Sequence, residues 1–302
     1  MDRRTLLKTS GAALLSPGLG HSALAAEPYE ITFNSNLVTV GNSLIDQSVD
    51  IVYYFASGYG RGTGKLTHQT IPGSPMKWNW QSADVAAFNA KTALRGGGQN
   101  VWMGVESVPF RHVQVAGDVC DPAFWKNWYD LAIGNGVTRF FVFEAWHDLQ
   151  SGSPDYDPED KGDPDTGIPW RERIDFARDS YLTIVELVNS QRAPDQPEAN
   201  LIPGGTMLGV IYDDIAAGRA PEGLNSIEDL FIDTIHPNIP GRYAMACIMY
   251  ACIYRRDPAG LPTRTQNQWG QWYDPVPPQQ AAYFQELAWE IAQNEPYSGL
   301  MD

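Results

Sequence analysis

The chain has 302 residues, 43% of them hydrophobic and 19% charged, and its 36 acidic residues outnumber 21 basic ones to give a net charge of −15. This length and hydrophobic content are sufficient for one sizeable core, or even two. So acidic a chain repels the phosphates of nucleic acids and of anionic membranes, and we expect neither as a partner.

The first 26 residues have the order of an export signal. Arg3 and Arg4 precede an apolar stretch that ends near Leu19, and Ala23–Ala26 provides a cleavage site of small residues. This order predicts a twin-arginine (Tat) signal peptide over residues 1–26, recognised by the Tat export machinery, and hence a periplasmic or secreted bacterial protein. Because the apolar stretch is too short to span a bilayer, we expect no membrane anchor.

Residues 27–302 contain no repeat and no long linker, and they predict a single domain. Strand-like apolar runs alternate with segments of helical periodicity. The predicted strands lie within 31–40, 65–71, 100–105 and 137–145, and the predicted helices cover 44–55, 83–94, 124–133, 171–189, 242–254 and 279–293. Residues 207–217 fit either state. The alternation predicts a three-layer α/β/α sandwich with a mainly parallel central sheet.

Two short segments far apart in the chain suggest a reactive serine and its base. Val38–Leu44 is a strand-like run that breaks into Gly-Asn-Ser, and Asp233–Pro237 reads Asp-Thr-Ile-His-Pro. A serine on a tight turn after a strand is exposed but needs a base, and an Asp and a His three residues apart can supply base and orienter from one loop. Ordinary alternatives are a helix-capping Ser43, a turn-capping Asp233 and a plain loop His236.

Gly-Asn-Ser-Leu at 41–44 and Asp-x-x-His at 233–236 resemble the first and last sequence blocks of the SGNH (GDSL-type) hydrolases, a family of esterases and lipases. The resemblance implies a flavodoxin-like α/β/α fold and a serine esterase that needs neither metal nor cofactor. It also implies roles for three residues: Ser43 as the nucleophile, His236 as the general base and Asp233 as the group that orients the histidine.

The resemblance further implies an oxyanion hole made by the Ser43 and Gly73 amides and a third donor. The family usually has Gly-x-Asn-Asp at its third block, whereas this chain has Glu106 at the asparagine position. An ionised carboxylate accepts hydrogen bonds but donates none. Three outcomes are open: Glu106 is protonated and donates, the protein is not an efficient hydrolase, or another side chain donates instead, with Asn42, Trp146 and His147 as candidates.

Positions near the predicted strand ends suggest a substrate site. Ser43, Gly73 and Glu106 each follow a predicted strand, and ligands of such sheets bind beyond the carboxyl ends of the strands. The substrate-binding candidates beside them are Asn42, Trp78, Glu144, Trp146 and His147.

The choice of substrate rests on the ten tryptophans, because exposed tryptophans can stack on sugar rings. This favours a carbohydrate-linked acetyl ester over a lipid. A polysaccharide O-acetyltransferase that uses the same triad and a non-catalytic carbohydrate-binding protein remain as alternatives.

Two further features do not indicate a ligand. The acidic insertion at 151–170 lacks the spacing of a calcium loop, so we expect a surface loop and no metal. Cys120, Cys247 and Cys252 form no disulfide framework, and we expect them to be small buried residues.

Overall fold

Five parallel strands form the central sheet in a computed structural model that describes residues 35–56, 64–107, 121–150 and 168–300. The strands are β1 (Leu37–Gly41), β2 (Leu66–Thr70), β3 (Val101–Val105), β4 (Arg139–Phe143) and β5 (Ala199–Ile202). Their spatial order is β2-β1-β3-β4-β5, and every neighbouring pair is parallel. This is the flavodoxin-like order of doubly wound sheets, and it confirms the predicted α/β class.

Helices flank the sheet in two groups. The eight α-helices of the described residues are α1 (Ser43–Ala56), α2 (Met76–Gln81), α3 (Ala90–Arg95), α4 (Ala123–Gly134), α5 (Trp170–Gln191), α6 (Gly204–Ala216), α7 (Ile239–Tyr254) and α8 (Pro278–Asn294). Helix α7 packs between α1 and α8, whereas α4 contacts α2, α3 and α5. Helix α6 lies against α5 and α7. Strands β1, β3, β4 and β5 are buried along their whole length, which is why they lack a polar alternation.

The structure departs from the predicted elements at β5 and over residues 83–94, and it assigns the ambiguous segment 207–217. Strand β5 was not predicted, because its four residues Ala-Asn-Leu-Ile include a polar one and are too few to show a period. The predicted helix over 83–94 is interrupted: a 3-10 turn covers Ala83–Val85, and α3 begins only after Asn89, whose side chain caps it by accepting from the Thr92 amide. The ambiguous segment 207–217 is helical as part of α6.

The predicted signal peptide, Cys120 and residues 151–167 of the acidic insertion lie outside the described residues. Cys247 and Cys252 are free and fully buried on α7. In the part of the chain that is described, no helix combines the length and apolarity that a membrane span requires.

Candidate active site

The fold brings Ser43 and His236 into contact across 193 positions of sequence. Ser43 is the first residue of α1, directly beyond the carboxyl end of β1, and His236 lies on the loop before α7. The Ser43 Oγ and the His236 Nε2 are 2.9 Å apart, which is a hydrogen-bond distance. A neutral imidazole in this position can accept the hydroxyl proton.

Asp233 holds the histidine from the other side. Its Oδ2 is 2.8 Å from the His236 Nδ1, and its Oδ1 accepts hydrogen bonds from the amides of Ile235 and His236, at 2.9 and 2.6 Å. Partial desolvation would raise the pKa of Asp233, but these hydrogen bonds and the attraction of His236 outweigh it and lower the pKa to about 2. The carboxylate is therefore ionised at neutral pH and fixes the tautomer that leaves Nε2 free to accept a proton.

The segment that follows β4 anchors the loop that carries this pair. The Trp146 Nε1 donates to the Ile235 carbonyl at 2.9 Å, and the Leu149 amide donates to the Thr234 carbonyl at 2.7 Å. The Thr234 hydroxyl donates to the Asp148 Oδ2 at 2.5 Å. The peptide groups that join Thr234 to Ile235 and Ile235 to His236 are thus each held at both the carbonyl and the amide. Sequence reasoning missed Thr234, Asp148 and Leu149, because no local pattern predicts which distant backbone they meet.

The backbone amide of Ser43 is available to a ligand. The Asn42 Oδ1 accepts from the Leu44 amide at 3.1 Å, and the Asn42 carbonyl accepts from the Ile45 amide at 3.3 Å. Within the described residues the Ser43 amide has no acceptor, and it lies at the positive end of the α1 dipole. Such an amide favours a negatively charged oxygen.

Gly73 presents a second free amide on a tight turn. The Ser74 amide donates to the Ile71 carbonyl at 3.1 Å, with Pro72 and Gly73 between them and a φ of +64° at Gly73, as a type II turn requires. Since the turn bond uses the Ser74 amide, the Gly73 amide is left without an acceptor among the described residues. A Cβ at Gly73 would meet no atom within 4 Å, so only the backbone conformation, and not the space, calls for glycine here.

A buried polar network ties this turn to the end of β1. The Gly41 carbonyl accepts from the Ile71 amide at 3.0 Å, from the Ser74 hydroxyl at 3.3 Å and from the Asn79 Nδ2 at 3.2 Å. The Gln69 Nε2 in turn donates to the Asn79 carbonyl at 2.9 Å. The two strand ends that carry Ser43 and Gly73 are therefore fixed to one another. This holds the amides of Ser43 and Gly73 in a fixed orientation, as binding of an oxyanion requires. No sequence pattern indicates Gln69 or Asn79 as members of the network.

Glu106 is an acceptor in this structure, which contradicts its prediction as an oxyanion donor. Its Oε1 accepts from the amides of Met76 and Ser107, at 3.0 and 2.9 Å, and its Oε2 accepts from the Trp125 Nε1 at 2.9 Å. All three partners can only donate, and the side chain is 1% exposed. Glu106 thus holds α2 and α4 against the end of β3 instead of facing an oxyanion.

Asn42 is likewise committed within the chain. It is 3% exposed, and its Nδ2 donates to the carbonyls of Ser74 and Glu106, each at 3.3 Å. It therefore links the ends of β1, β2 and β3 and is corrected from a substrate-binding residue to a structural one. Trp78 differs, because its side chain is 50% exposed on α2, four residues after the Ile71–Ser74 turn. It stays a predicted substrate contact.

Glu144, Trp146 and His147 do not line an open site, contrary to prediction, because all three are buried. The Glu144 carboxylate accepts from the amide and the hydroxyl of Thr206, both at 3.1 Å, at the first turn of α6. Burial raises the pKa of Glu144 to about 7, against the opposing pull of Arg178. The His147 Nδ1 lies 3.0 Å from an Arg173 guanidinium nitrogen, and Trp146 is used to hold the His236 loop.

Among the described residues, no three His, Cys, Asp or Glu side chains are grouped as metal ligands would be. The functional groups of the site are the Ser43 hydroxyl, the His236 imidazole, the Asp233 carboxylate and the backbone amides of Ser43 and Gly73. Together these can take a proton from an attacking serine and stabilise an oxyanion.

Comparison with known proteins finds a similarity in fold only. No protein-family model and no curated protein matches the chain. A DUF4886 family protein from Bacteroides uniformis has a similar structure, with a TM-score of 0.58 and 13% sequence identity over 86% of this chain and 95% of that one. A candidate SGNH hydrolase from Slackia heliotrinireducens aligns over 72% of this chain and 97% of its own at 12% identity, with a TM-score of 0.44.

Proposed function

We propose that the protein is an exported serine esterase that hydrolyses carboxylic esters, with a carbohydrate-linked acetyl ester as substrate. The observation that carries the proposal is the hydrogen-bonded series Ser43 Oγ–His236 Nε2 and His236 Nδ1–Asp233 Oδ2, at 2.9 and 2.8 Å. The three side chains come from two segments that are far apart in the sequence, and their hydrogen bonds support the proposed roles of nucleophile, base and orienter.

In the proposed reaction the Ser43 Oγ attacks the ester carbonyl while His236 accepts the hydroxyl proton. The ionised Asp233 stabilises the imidazolium that forms. The amides of Ser43 and Gly73 donate to the tetrahedral oxyanion. His236 then protonates the leaving alcohol, and a water molecule, deprotonated by the same imidazole, releases acetate from the acyl-enzyme.

The exposure of the site is compatible with a large alcohol group. The side chains of His236 and Asp233 are 35% and 51% exposed, so the reacting atoms lie near the surface and not at the end of a deep tunnel. The half-exposed Trp78 offers an indole face on the helix that follows the Gly73 turn. These features support a polymeric or glycan ester over an ester that must be enclosed entirely.

Hydrolysis of p-nitrophenyl acetate tests the activity. We expect the wild-type protein to release acetate, and Ser43→Ala and His236→Ala to lose at least about a thousandfold in kcat/KM, because the residues of such a triad act as one unit. Ser190→Ala is the control, since Ser190 is an exposed serine near the C-terminal end of α5 and belongs neither to the proposed triad nor to the network that orients the amides. Circular dichroism would establish that all variants are folded. Comparable turnover in Ser43→Ala and wild type would exclude the proposed nucleophile.

A further inference from the structure

A hairpin near the C-terminus displays two exposed tryptophans. Trp269 is 73% exposed and Trp272 is 51% exposed, and both lie in Thr265–Tyr273, which we call the tryptophan hairpin. Its arms are joined by a bridge between Gln266 and Trp272 and by a hydrogen bond of 2.9 Å from the Tyr273 amide to the Thr265 carbonyl. The Trp272 ring contacts the Tyr54 ring and the Arg264 guanidinium, but Trp269 extends further into solvent, and a large apolar side chain held there calls for a reason.

The tip of the hairpin is held rigidly by Asn267. The Asn267 Oδ1 accepts from the amides of Trp269 and Gln271, at 3.0 and 2.9 Å, and its Nδ2 donates to the Gln271 Oε1 at 2.8 Å. The Gly270 amide donates to the Asn267 carbonyl at 3.0 Å, with a φ of +79° at Gly270. Because the turn is fixed in the free protein, a ligand on the Trp269 face would bind without first ordering the loop.

The chemistry of the hairpin matches a neutral hydroxylated ring. Thr265–Tyr273 contains no charged residue, although the whole chain has a net charge of −15. Beside the two indoles it carries four side-chain amides, at Gln266, Asn267, Gln268 and Gln271. An indole face can cover the C–H face of a sugar ring, while amides both donate to and accept from hydroxyl groups. An anionic ligand would meet the repulsion of the acidic surface instead.

The hairpin adjoins the helix face that carries Ser43. Ser43, Asp46 and Asp50 recur at helical spacing on α1, and the Asp46 Oδ1 lies 3.4 Å from the His68 Nδ1. The His68 Nε2 in turn lies 3.3 Å from the Gln268 Nε2. Two side-chain contacts therefore connect the hairpin to the first turn of α1, beside the edge strand β2.

We infer that the tryptophan hairpin is a saccharide-binding subsite, with Trp269 as its stacking platform and the Gln268 Oε1 and Gln271 Nε2 as hydrogen-bonding groups, since the other amide atoms of these two side chains contact His68 and Asn267. It takes a neutral glycan chain and keeps that chain next to the Ser43 helix. The inference rests on the proposed esterase function only for the link between glycan binding and turnover. Glycan binding itself is measured independently of catalysis.

Calorimetric titration with xylohexaose, cellohexaose and mannohexaose tests the subsite in the full chain. We expect at least one of these neutral oligosaccharides to bind the wild type, Trp269→Ala to weaken that binding at least tenfold, and Trp269→Phe to retain most of it. Phe176→Ala is the matched control, because Phe176 is another exposed aromatic residue, 51% exposed, but lies on α5. It should bind as the wild type does.

Turnover separates this inference from the proposed function. Trp269→Ala should hydrolyse p-nitrophenyl acetate normally and show a higher KM, but an unchanged kcat, on the acetylated form of whichever oligosaccharide binds. Binding that depends on Trp269 in a protein without esterase activity would support the subsite and refute the esterase. The subsite is overturned if no oligosaccharide binds, if Trp269→Ala binds equally well, or if the tryptophans instead mediate attachment to phosphatidylcholine vesicles.

Discussion

At the residue scale, Glu106 differs from the asparagine usual in the SGNH pattern that the chain resembles, and its side chain serves the packing of the fold. Its two oxygens accept from two backbone amides and one indole N–H, and Glu106, Met76 and Trp125 are all buried. A buried carboxylate is tolerated when donors surround it. In the proposed mechanism, the oxyanion would then be bound by the amides of Ser43 and Gly73, which have no other acceptor among the described residues.

The role of Glu106 as a buried acceptor predicts that Glu106→Gln lowers stability more than activity. A glutamine would turn an NH2 group toward at least one N–H donor, so the unfolding free energy should fall by about 2–3 kcal/mol. Activity per folded molecule on p-nitrophenyl acetate should change less than tenfold, because the side chain does not reach the oxyanion. Urea unfolding and active-site-normalised kinetics would measure the two effects. A variant of unchanged stability with much faster turnover would show instead that Glu106 obstructs the oxyanion site.

The residues that sequence alone could identify are those whose signal is local. Asp233 and His236 lie three positions apart, and Ser43 follows a clear strand, so each was visible from its neighbours. Glu144 and His147 were placed wrongly in the site because a polar residue after a strand has the same local sequence whether it faces a cleft or a buried arginine. Their partners, Thr206 and Arg173, are distant in sequence.

At the scale of elements, the exit of β4 supports the loop before α7. The indole of Trp146 holds the Ile235 carbonyl, and Asp148 and Leu149 hold Thr234, so the Asp233–His236 loop cannot shift without breaking several hydrogen bonds. The Arg242 Nε also donates to the Pro237 carbonyl at 2.8 Å, which fixes the loop from α7.

Trp146→Phe should therefore impair catalysis through the loop. The substitution keeps an aromatic ring but removes the indole N–H, leaving the Ile235 carbonyl without its donor at a cost of about 1–3 kcal/mol in stability. We expect kcat on p-nitrophenyl acetate to fall about tenfold with KM nearly unchanged, because small displacements of catalytic groups slow the chemical step. Trp128→Phe, a change at another fully buried tryptophan, which contacts the Met76 carbonyl, serves as the control. An equal fall in kcat for both variants would argue against a specific role for Trp146.

The strand–helix alternation is predictable from the sequence because the longer helices have an apolar period and strands β1, β3 and β4 lie in largely apolar runs. What could not be predicted were short elements and interruptions, such as the four-residue β5 and the Asn89 cap that separates α3 from the preceding 3-10 turn. The conformation of β5 depends on its pairing with β4, and the start of α3 depends on the Asn89 cap. Neither a tertiary contact nor a single capping side chain produces a period in the sequence.

At the scale of the whole molecule, a carboxyl group sealed in the interior links folding to pH. Glu144 is fully buried, and burial raises its pKa to about 7 from an ordinary value of 4.5. The folded protein therefore binds this proton more tightly than the unfolded chain does. The contribution of protonated Glu144 to the unfolding free energy is fully present below pH 4.5. It is lost as the pH rises through about 7, because the buried carboxyl group must then ionise.

Glu144→Gln should remove this dependence. Between pH 5 and pH 7.5 we expect the unfolding free energy of the wild type to decline relative to that of Glu144→Gln, since glutamine preserves hydrogen bonds to Thr206 but does not titrate. Urea unfolding at several pH values measures the difference. Glu228→Gln, a change at an exposed glutamate, controls for the loss of one negative charge. Parallel curves for wild type and Glu144→Gln would contradict a raised pKa at this site.

The central claim is that Ser43 is a nucleophile activated by His236, and covalent labelling tests it most directly. The full-length protein, its Ser43→Ala variant and its His236→Ala variant would each be treated with a serine-directed fluorophosphonate and analysed by intact-mass and peptide mass spectrometry. The account predicts a single adduct on the wild-type peptide that contains Ser43, none on Ser43→Ala, and labelling slowed at least a hundredfold in His236→Ala. A wild-type protein that stays unlabelled, or that is labelled equally well without His236, would contradict it.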